Sequence, residues 1–238
     1  MTLTAGHSRS QNSGFLGVVM LDTHFPRPPG DVGHPDAFGV PVRQRVVQGA
    51  WPGTIVQSAA GLHAAGVAPA FVRAVQALQA EGARAITTSC GFLVLLQDEL
   101  QAAAQVPVVT SSLLQLPALL ARQPKVGVLT ISAAALGAEH LLAAGVPQAR
   151  LQDVLVQGVD PAGEFATAIL GNRDTMDIDK ARSDVVEAAL ALKQREPSLQ
   201  AVVLECTNLP PYRQAIEAVT GLKTWALTDD ESLLRFWR

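Results

Sequence analysis

Short, almost continuously apolar runs recur along the whole chain, and this repetition restricts the possible folds more than any other feature. The clearest runs lie at residues 15–21, 85–88, 106–109, 125–130 and 201–204. Segments in which apolar residues recur with a helical period lie between them, for example residues 69–81 and 178–195. Strands that are apolar on both faces and alternate with helices form parallel sheets covered by helices. The chain is therefore predicted to be an α/β protein.

The remaining elements are predicted from the same spacing and from turn residues. Further strands are predicted at residues 54–57, 151–156 and 223–226, and further helices at residues 92–104, 113–122, 133–144, 161–170, 211–219 and 229–237. Residues 25–52 are rich in Pro and Gly and are predicted to be irregular. A long irregular segment in a compact domain is usually functional or mobile.

The order of elements restarts near residue 125, so the chain divides into two similar halves. We therefore expect two pseudo-symmetric, doubly wound parallel-sheet lobes with the active site in the cleft between them. The predicted division is a flexible polar segment at residues 1–13, a first lobe at 14–112 plus 210–238, and a second lobe at 113–209.

Composition argues against several classes of function. The 238 residues include 18 Lys and Arg and 21 Asp and Glu, so the net charge is −3. Basic residues form no run in the sequence, so nucleic-acid binding has no electrostatic basis. The apolar runs are too short to span a bilayer, and the N-terminal residues lack the apolar core of a signal peptide. A cytoplasmic protein with reduced thiols and with no nucleic-acid or membrane partner is expected.

Cys90 and Cys206 are the only cysteines, and they occupy matching places in the two halves. Each lies five residues after the alanine that opens an apolar run, and each precedes a predicted helix. Open α/β sheets bind ligands beyond the carboxyl ends of their strands, where a helix N-terminus can lower a thiol pKa and bind a carboxylate. One such cysteine is usually an inert buried residue. The matched pair instead favours two acid/base groups that face one carbon.

Polar residues beside the cysteines and at other strand ends are the candidate substrate-binding groups. They are Asp22, Thr88, Ser89, Gly91, Thr130, Ser132, Thr207 and Asn208. Several have structural alternatives: Thr130 and Ser132 could cap a helix, and Asp22 could be a turn residue. Glu205 is either a solvated charge or a group that raises the pKa of Cys206.

No motif in the sequence predicts a metal or a cofactor. The histidines lack metal-ligand spacing, and there is no CxxC pair. No glycine-rich phosphate loop follows a strand, and no G-x-S-x-G elbow is present. A cofactor-independent site without a metal is therefore predicted.

At the two cysteine motifs the chain resembles the aspartate/glutamate racemase superfamily. The resemblance rests on Thr88-Ser89-Cys90-Gly91, on Glu205-Cys206-Thr207-Asn208, on the strand that ends at Thr130 and on the strand that ends at Asp22. It implies two α/β lobes and a two-base mechanism in which Cys90 and Cys206 are the bases. Thr207 matches the Thr that follows the second cysteine in that family. The chain departs from the family at Gly91-Phe92, where racemases commonly have Asn-Thr, and at Glu205, where Gly commonly precedes the second cysteine.

The resemblance implies an isomerase, a racemase or epimerase that acts on a small carboxylate such as an acidic amino acid or a derivative. The departures leave the substrate less defined than the type of reaction. The alternatives are a hydantoin racemase, a decarboxylase or a cis–trans isomerase on the same scaffold, and a non-catalytic small-molecule binder. The expected partner is a small-molecule carboxylate, and a homodimer is among the expectations because relatives of this fold are often dimers.

Overall fold

Two parallel four-stranded sheets organise residues 14–238, which are the residues that the computed structural model describes. The predicted flexible segment 1–13 lies outside the described residues. The strands are β1 (Phe15–Leu21), β2 (Val42–Val47), β3 (Ala83–Thr88), β4 (Val108–Val109), β5 (Val126–Thr130), β6 (Val154–Gly158), β7 (Ala201–Leu204) and β8 (Lys223–Trp225). The α-helices are α1 (Pro52–Ile55), α2 (Ala59–Ala64), α3 (Ala68–Ala80), α4 (Gln97–Ala102), α5 (Leu116–Leu120), α6 (Ala138–Ala143), α7 (Glu164–Leu170), α8 (Ile178–Arg195), α9 (Arg213–Thr220) and α10 (Glu231–Leu234). Short 3₁₀ turns occupy Gly91–Leu96, Ser112–Gln115, Gln148–Asp153, Pro210–Tyr212 and Leu227–Asp229.

The two sheets have the same strand order, β2-β1-β3-β4 in the first and β6-β5-β7-β8 in the second. Every neighbouring pair of strands is parallel. Strands β3 and β7 therefore occupy equivalent places, and Cys90 and Cys206 follow their carboxyl ends. The predicted α/β fold with two doubly wound lobes is confirmed.

The central strands are buried on both faces, as their continuous apolar sequence predicts. All seven residues of β1 are buried. Helix α3 covers one face of the first sheet with Phe71, Val75 and Leu78, which recur at helical spacing. The same apolar cluster continues to Leu129 of the second sheet, so the two lobes share one core. A shared core holds the strand ends on either side of the cleft in a defined relative position.

The second strand of the first sheet lies outside the predicted segment. Residues 54–57 were expected to form a strand, but α1 begins at Pro52, which fits the first turn of a helix. Strand β2 lies instead within residues 25–52, which were predicted to be irregular. This strand is at the edge of the sheet and carries exposed Arg43 and Gln44 and half-buried Arg45, so it lacks the apolar continuity that identifies the central strands.

Helices after the strand ends begin later than predicted. Residues 92–104 were expected to be one helix, but a buried 3₁₀ turn, Gly91–Leu96, precedes α4. The predicted helices 133–144 and 161–170 likewise begin only at Ala138 and Glu164. Tight turns and bends occupy the strand ends because the chain reverses there against the other lobe.

The C-terminal segment is divided between the lobes, whereas the sequence assigned all of residues 210–238 to the first. Strand β8 pairs with β7 and extends the second sheet, since α9 provides the crossover between two parallel strands. Only the last turns return, and there Leu227 and Leu233 join an apolar cluster with Leu16 of the first sheet. Within residues 14–238, none of the helices combines the length and the hydropathy that crossing a bilayer requires.

Candidate active site

A small pocket lies where the carboxyl ends of both sheets meet, and both cysteines line it. It contains about 340 Å³ of empty space, part of it open to solvent. Its walls come from residues that follow β1, β3, β5 and β7, together with residues of the loop after β1. The predicted site in the cleft therefore corresponds to a real cavity. Of the predicted residues, Ser89, Cys90, Gly91, Cys206, Thr207 and Asn208 line it.

Cys90 opens the 3₁₀ turn that follows β3, and its side chain is buried. Burial and then the charge of Glu205 raise the pKa of the Cys90 thiol to about 12. The backbone N–H groups of Phe92 and Leu93 and the guanidinium of Arg27 act in the opposite direction and favour the thiolate. The sequence predicted a lowered thiol pKa, and that prediction is wrong because desolvation by burial outweighs the backbone donors of the short turn.

Cys206 is also buried, and burial and the charge of Glu205 raise the pKa of its thiol well above the usual value. Its thiol donates a hydrogen bond to Oδ1 of Asn208, with a sulfur–oxygen distance of 3.4 Å. The two thiols therefore differ. Cys206 is held as a neutral S–H donor, whereas Cys90 has a cation and two backbone donors close by.

Glu205 places a carboxyl group in the pocket close enough to act on both thiols. Its side chain is 1% exposed, and Oε2 accepts a hydrogen bond of 2.7 Å from the hydroxyl of Thr130. Oε1 is buried and has no hydrogen-bond partner among the described residues. Burial raises the pKa of Glu205 to about 8, against the hydrogen bond from Thr130. Of the two alternatives read from the sequence, the structure supports a buried carboxyl that raises the pKa of Cys206.

The Pro-rich loop after β1 brings Arg27 to the pocket wall and pairs it with a buried aspartate. Nη1 of Arg27 lies 2.6 Å from Oδ1 of Asp31, which is 1% exposed. Oδ2 of Asp31 accepts a 2.6 Å hydrogen bond from the amide of Asn208, and the N–H of Val32 donates to the carbonyl of Thr207. Sequence reasoning identified this segment as unusual but did not select Arg27 or Asp31. The signal was a charged pair between prolines, at Pro26-Arg27-Pro28-Pro29-Gly30-Asp31.

Thr207 and Ser89 join the two lobes at the floor of the site. The hydroxyl of Thr207 donates a 2.7 Å hydrogen bond to the carbonyl of Ser89. The hydroxyl of Ser89 accepts a hydrogen bond from the N–H of Leu21 at the end of β1. These bonds hold the residues next to both cysteines in one network.

Four predicted residues have other roles and do not line the pocket. Asp22 accepts a hydrogen bond from the N–H of Gly49 and is a turn residue. The hydroxyl of Thr88 donates to the carbonyl of Thr110. Ser132 accepts a hydrogen bond from the N–H of Ala135, as a cap does. Thr130 acts through Glu205.

The sequence model of the Asp/Glu/Hydantoin racemase family matches residues 46–227. The chain belongs to this family. Its fold is similar to solved structures of the family at low identity. Glutamate racemase from Francisella tularensis has a TM-score of 0.53 and 15% identity, with 94% of this chain and 79% of that chain covered. Unliganded arylmalonate decarboxylase has a TM-score of 0.55 and 15% identity, with 94% and 90% covered. These likenesses support the fold of this racemase-family member.

Curated relatives of this racemase-family member are lyases. A dimethylsulfoniopropionate lyase of Durusdinium sp. clade D is 34% identical over 217 residues, which are 88% of this chain and 70% of that protein. Dimethylsulfoniopropionate lyase 7 of Emiliania huxleyi is 31% identical over 230 residues, which are 92% of this chain and 66% of that protein. Dimethylsulfoniopropionate lyase 6 of the same organism is 32% identical over 217 residues, which are 87% of this chain and 55% of that protein. This chain therefore spans only about half of that relative. The prediction of a racemase in the isomerase class is therefore wrong, although the family was identified correctly.

Proposed function

We propose that this protein cleaves dimethylsulfoniopropionate, or a closely similar sulfonium carboxylate, into dimethyl sulfide and acrylate. The observation that carries the proposal is the pocket itself, in which two thiols and a buried carboxyl surround a small apolar space. Such a site suits a small substrate with a positive charge and a removable proton. The 34% identity to a lyase of this name over 88% of the chain supports the same reaction.

The reaction is an elimination that needs one base and no cofactor. The base removes a proton from the carbon next to the substrate carboxylate. The electrons of that C–H bond form the new C=C bond with the neighbouring carbon. The C–S bond breaks and its electron pair stays on sulfur, so neutral dimethyl sulfide and acrylate result and the proton remains on the base. The proton then passes to solvent and restores the thiolate.

Cys90 is the proposed base, because Arg27 and the N–H groups of Phe92 and Leu93 favour its thiolate. Burial is the main cause of the raised pKa of this thiol. A bound sulfonium would add a positive charge next to the thiol and shift its pKa downward. The substrate therefore supplies part of the charge that activates the base.

Cys206 and Arg27 are the proposed contacts of the substrate carboxylate. Arg27 is the one Lys, Arg or His among the described residues that line the pocket. It uses two of its nitrogens for Asp31 and Thr23, and a guanidinium has five N–H donors. Negative charge grows on the carboxylate as the α-proton leaves. The free N–H groups of Arg27 can stabilise it, and so can the S–H of Cys206 once it turns from Oδ1 of Asn208 to the substrate.

Apolar side chains form the rest of the wall and fit the two methyl groups. Leu21, Phe25, Phe92, Ile131 and Ile169 line the pocket. Sulfonium methyl groups are weakly hydrated, and an aromatic face attracts a cation by about 0.5–2 kcal/mol. Phe25 already stacks with the guanidinium of Arg27, whose central carbon lies 4.5 Å from the ring centroid.

The test is direct measurement of both products. The purified protein is incubated with dimethylsulfoniopropionate, headspace gas chromatography measures dimethyl sulfide, and proton NMR measures acrylate. Equal amounts of both products are expected from the wild type. Cys90→Ser should lower kcat by at least a hundredfold, the usual contribution of a general base. Ser183→Ala, which changes an exposed hydroxyl on α8, is the control and should match the wild type. Absence of both products at millimolar substrate would refute the proposal.

A further inference from the structure

Glu205 has a carboxyl oxygen that nothing in the described residues satisfies. The side chain lines the pocket and is 1% exposed. Thr130 donates a hydrogen bond to Oε2, but the buried Oε1 has no hydrogen-bond partner. Folded proteins leave few buried polar atoms without a partner, and each such atom calls for an explanation. A bound ligand that supplies the missing partner is the simplest one here.

Gly91 provides the space that this carboxyl group occupies. A Cβ built at Gly91 would lie 2.3 Å from Oε1 and 2.3 Å from the backbone oxygen of Glu205. No side chain fits at position 91 while Glu205 keeps this position. The residues that follow β3 and β7 therefore pack directly against each other, and the carboxyl group of Glu205 contacts the turn that begins at Cys90.

Within residues 14–238, Glu205 forms no ion pair with a cationic side chain. Arg27 is already paired with Asp31, and Asp31 also accepts a hydrogen bond from Asn208. The charge of Glu205 acts on both thiols, because it raises the pKa of Cys90 and that of Cys206. A positively charged ligand group next to Oε1 would offset the negative charge of the carboxylate and so relieve its unfavourable effect on both thiols.

We infer that the carboxylate of Glu205 is the counter-ion of the substrate's sulfonium group, and that it selects cationic over neutral ligands of the same shape. This inference rests on the proposed function, since it names the group that recognises the leaving group of that reaction. The substrate carboxylate lies toward Arg27 and the sulfonium lies toward Glu205. Glu205 is therefore a specificity-determining residue that contacts the substrate.

The role has a kinetic signature because the positive charge on sulfur disappears as the C–S bond breaks. An ion pair with the sulfonium stabilises the bound substrate at least as much as the transition state. Its removal should raise KM and leave kcat less affected. A residue that relayed the proton would show the opposite pattern, with a lower kcat.

The experiment compares two ligands of the same shape and different charge. The probes are 3-(dimethylamino)propanoate, which is cationic at the amine, and 4-methylpentanoate, which has a neutral carbon at that place. Calorimetry measures their affinities for the wild type and for Glu205→Gln, which keeps the shape and an acceptor for Thr130. The wild type should prefer the cationic probe by about ten- to hundredfold, the range of charged hydrogen bonds. The variant should bind both probes about equally. Ser183→Ala is the matched control and should keep the preference.

Kinetics with the sulfonium substrate give the second readout. The sulfonium has no N–H or O–H, so its attraction to the carboxylate is Coulombic, and Glu205→Gln should raise KM by about tenfold or more, with a smaller change in kcat. A preference for the cation that is unchanged in Glu205→Gln would overturn the inference, and so would a loss confined to kcat. If the wild type prefers the cationic probe but releases no dimethyl sulfide, the proposed function fails while the charge selection stands. If it releases dimethyl sulfide without preferring the cation, only the inference fails.

The wild type also tests the inference without a substitution. Burial raises the pKa of Glu205 to about 8, so its carboxylate forms as the pH rises through that value. The pKa of Cys90 and that of Tyr212 are raised to about 12 and that of Cys206 is raised well above its usual value, so neither thiol nor this phenol loses its proton between pH 6.5 and pH 8.5. Affinity for the cationic probe should rise between pH 6.5 and pH 8.5, by roughly tenfold per unit at first. A flat profile for the cationic probe would overturn the inference, and the neutral probe should show no such rise.

Discussion

Replacement of Gly91 by alanine tests the central feature of the site, the contact between the two strand ends. The added methyl group would lie 2.3 Å from two oxygens of Glu205, one in the side chain and one in the backbone. Ordinary carbon–oxygen contact requires the neighbours to retreat by about 1 Å. The carboxyl group could rotate away, but the backbone oxygen belongs to the segment that follows β7 and cannot move alone.

The magnitude follows from this geometry. Inserting a methyl group into a well-packed site costs about 1–3 kcal/mol of folding stability, and the backbone contact favours the upper part of that range. A displacement of about 1 Å between the ends of β3 and β7 also moves Cys90 relative to Cys206. Misplacement of that size lowers catalysis by about a hundredfold. Gly91→Ala should therefore lose both stability and activity.

Urea denaturation followed by tryptophan fluorescence measures the change in stability, and release of dimethyl sulfide measures the change in kcat/KM. Gly53→Ala is the matched control, because the one atom within 4 Å of its built Cβ is the Leu170 oxygen at 3.6 Å. It lies in α1, so alanine should be neutral or stabilising by up to about 1 kcal/mol. If Gly91→Ala unfolds at the same urea concentration as the wild type and keeps its activity, the reasoning about this contact is refuted.

Three further predictions concern the groups around the pocket. Burial raises the pKa of Glu205 from an ordinary value of 4.5 to about 8, so the folded state keeps a proton that the unfolded state has lost. The contribution of Glu205 to stability should be complete below pH 4.5 and be lost, by a few kcal/mol, as the pH rises through 8. Urea unfolding at pH 5.5 and pH 8.5 should show this loss in the wild type and not in Glu205→Gln. An equal loss in the variant would mean that another group causes the pH dependence. Asp31→Asn leaves the charge of Arg27 unpaired in a nearly buried place and should lower the free energy of unfolding by about 3–5 kcal/mol, measured by thermal or urea unfolding. An unchanged unfolding midpoint would contradict the importance of this ion pair. Thr207→Val keeps the shape of the side chain but removes the hydrogen bond to the Ser89 carbonyl, which should cost about 1–3 kcal/mol of stability and lower kcat/KM. A variant with wild-type stability and turnover would show that this bond between the lobes is dispensable.

The place of the two cysteines was predictable because strands and helices have local sequence patterns. The apolar runs that became β3 and β7 end shortly before Cys90 and Cys206, and parallel strands in equivalent places bring their carboxyl ends to one cleft. The family was identifiable from the same motifs. The reaction was not, because the two cysteine motifs resemble those of racemases, whereas the relatives that align over most of the chain are lyases. The departures at Gly91 and Glu205 were also read as two separate changes, whereas in the structure they form one contact.

The sequence by itself therefore determined the class of fold, the order of most elements and the two thiols at the site, since each depends on patterns within a few neighbouring residues. Only the tertiary structure brought Arg27 to the pocket, because its partner Asp31 is held by a hydrogen bond from Asn208, far along the chain. It also decided the direction of the thiol pKa shifts, since burial by both lobes outweighs the local turn at Cys90. The charge balance of the pocket is a property of contacts between distant segments, and local sequence patterns carry no record of it.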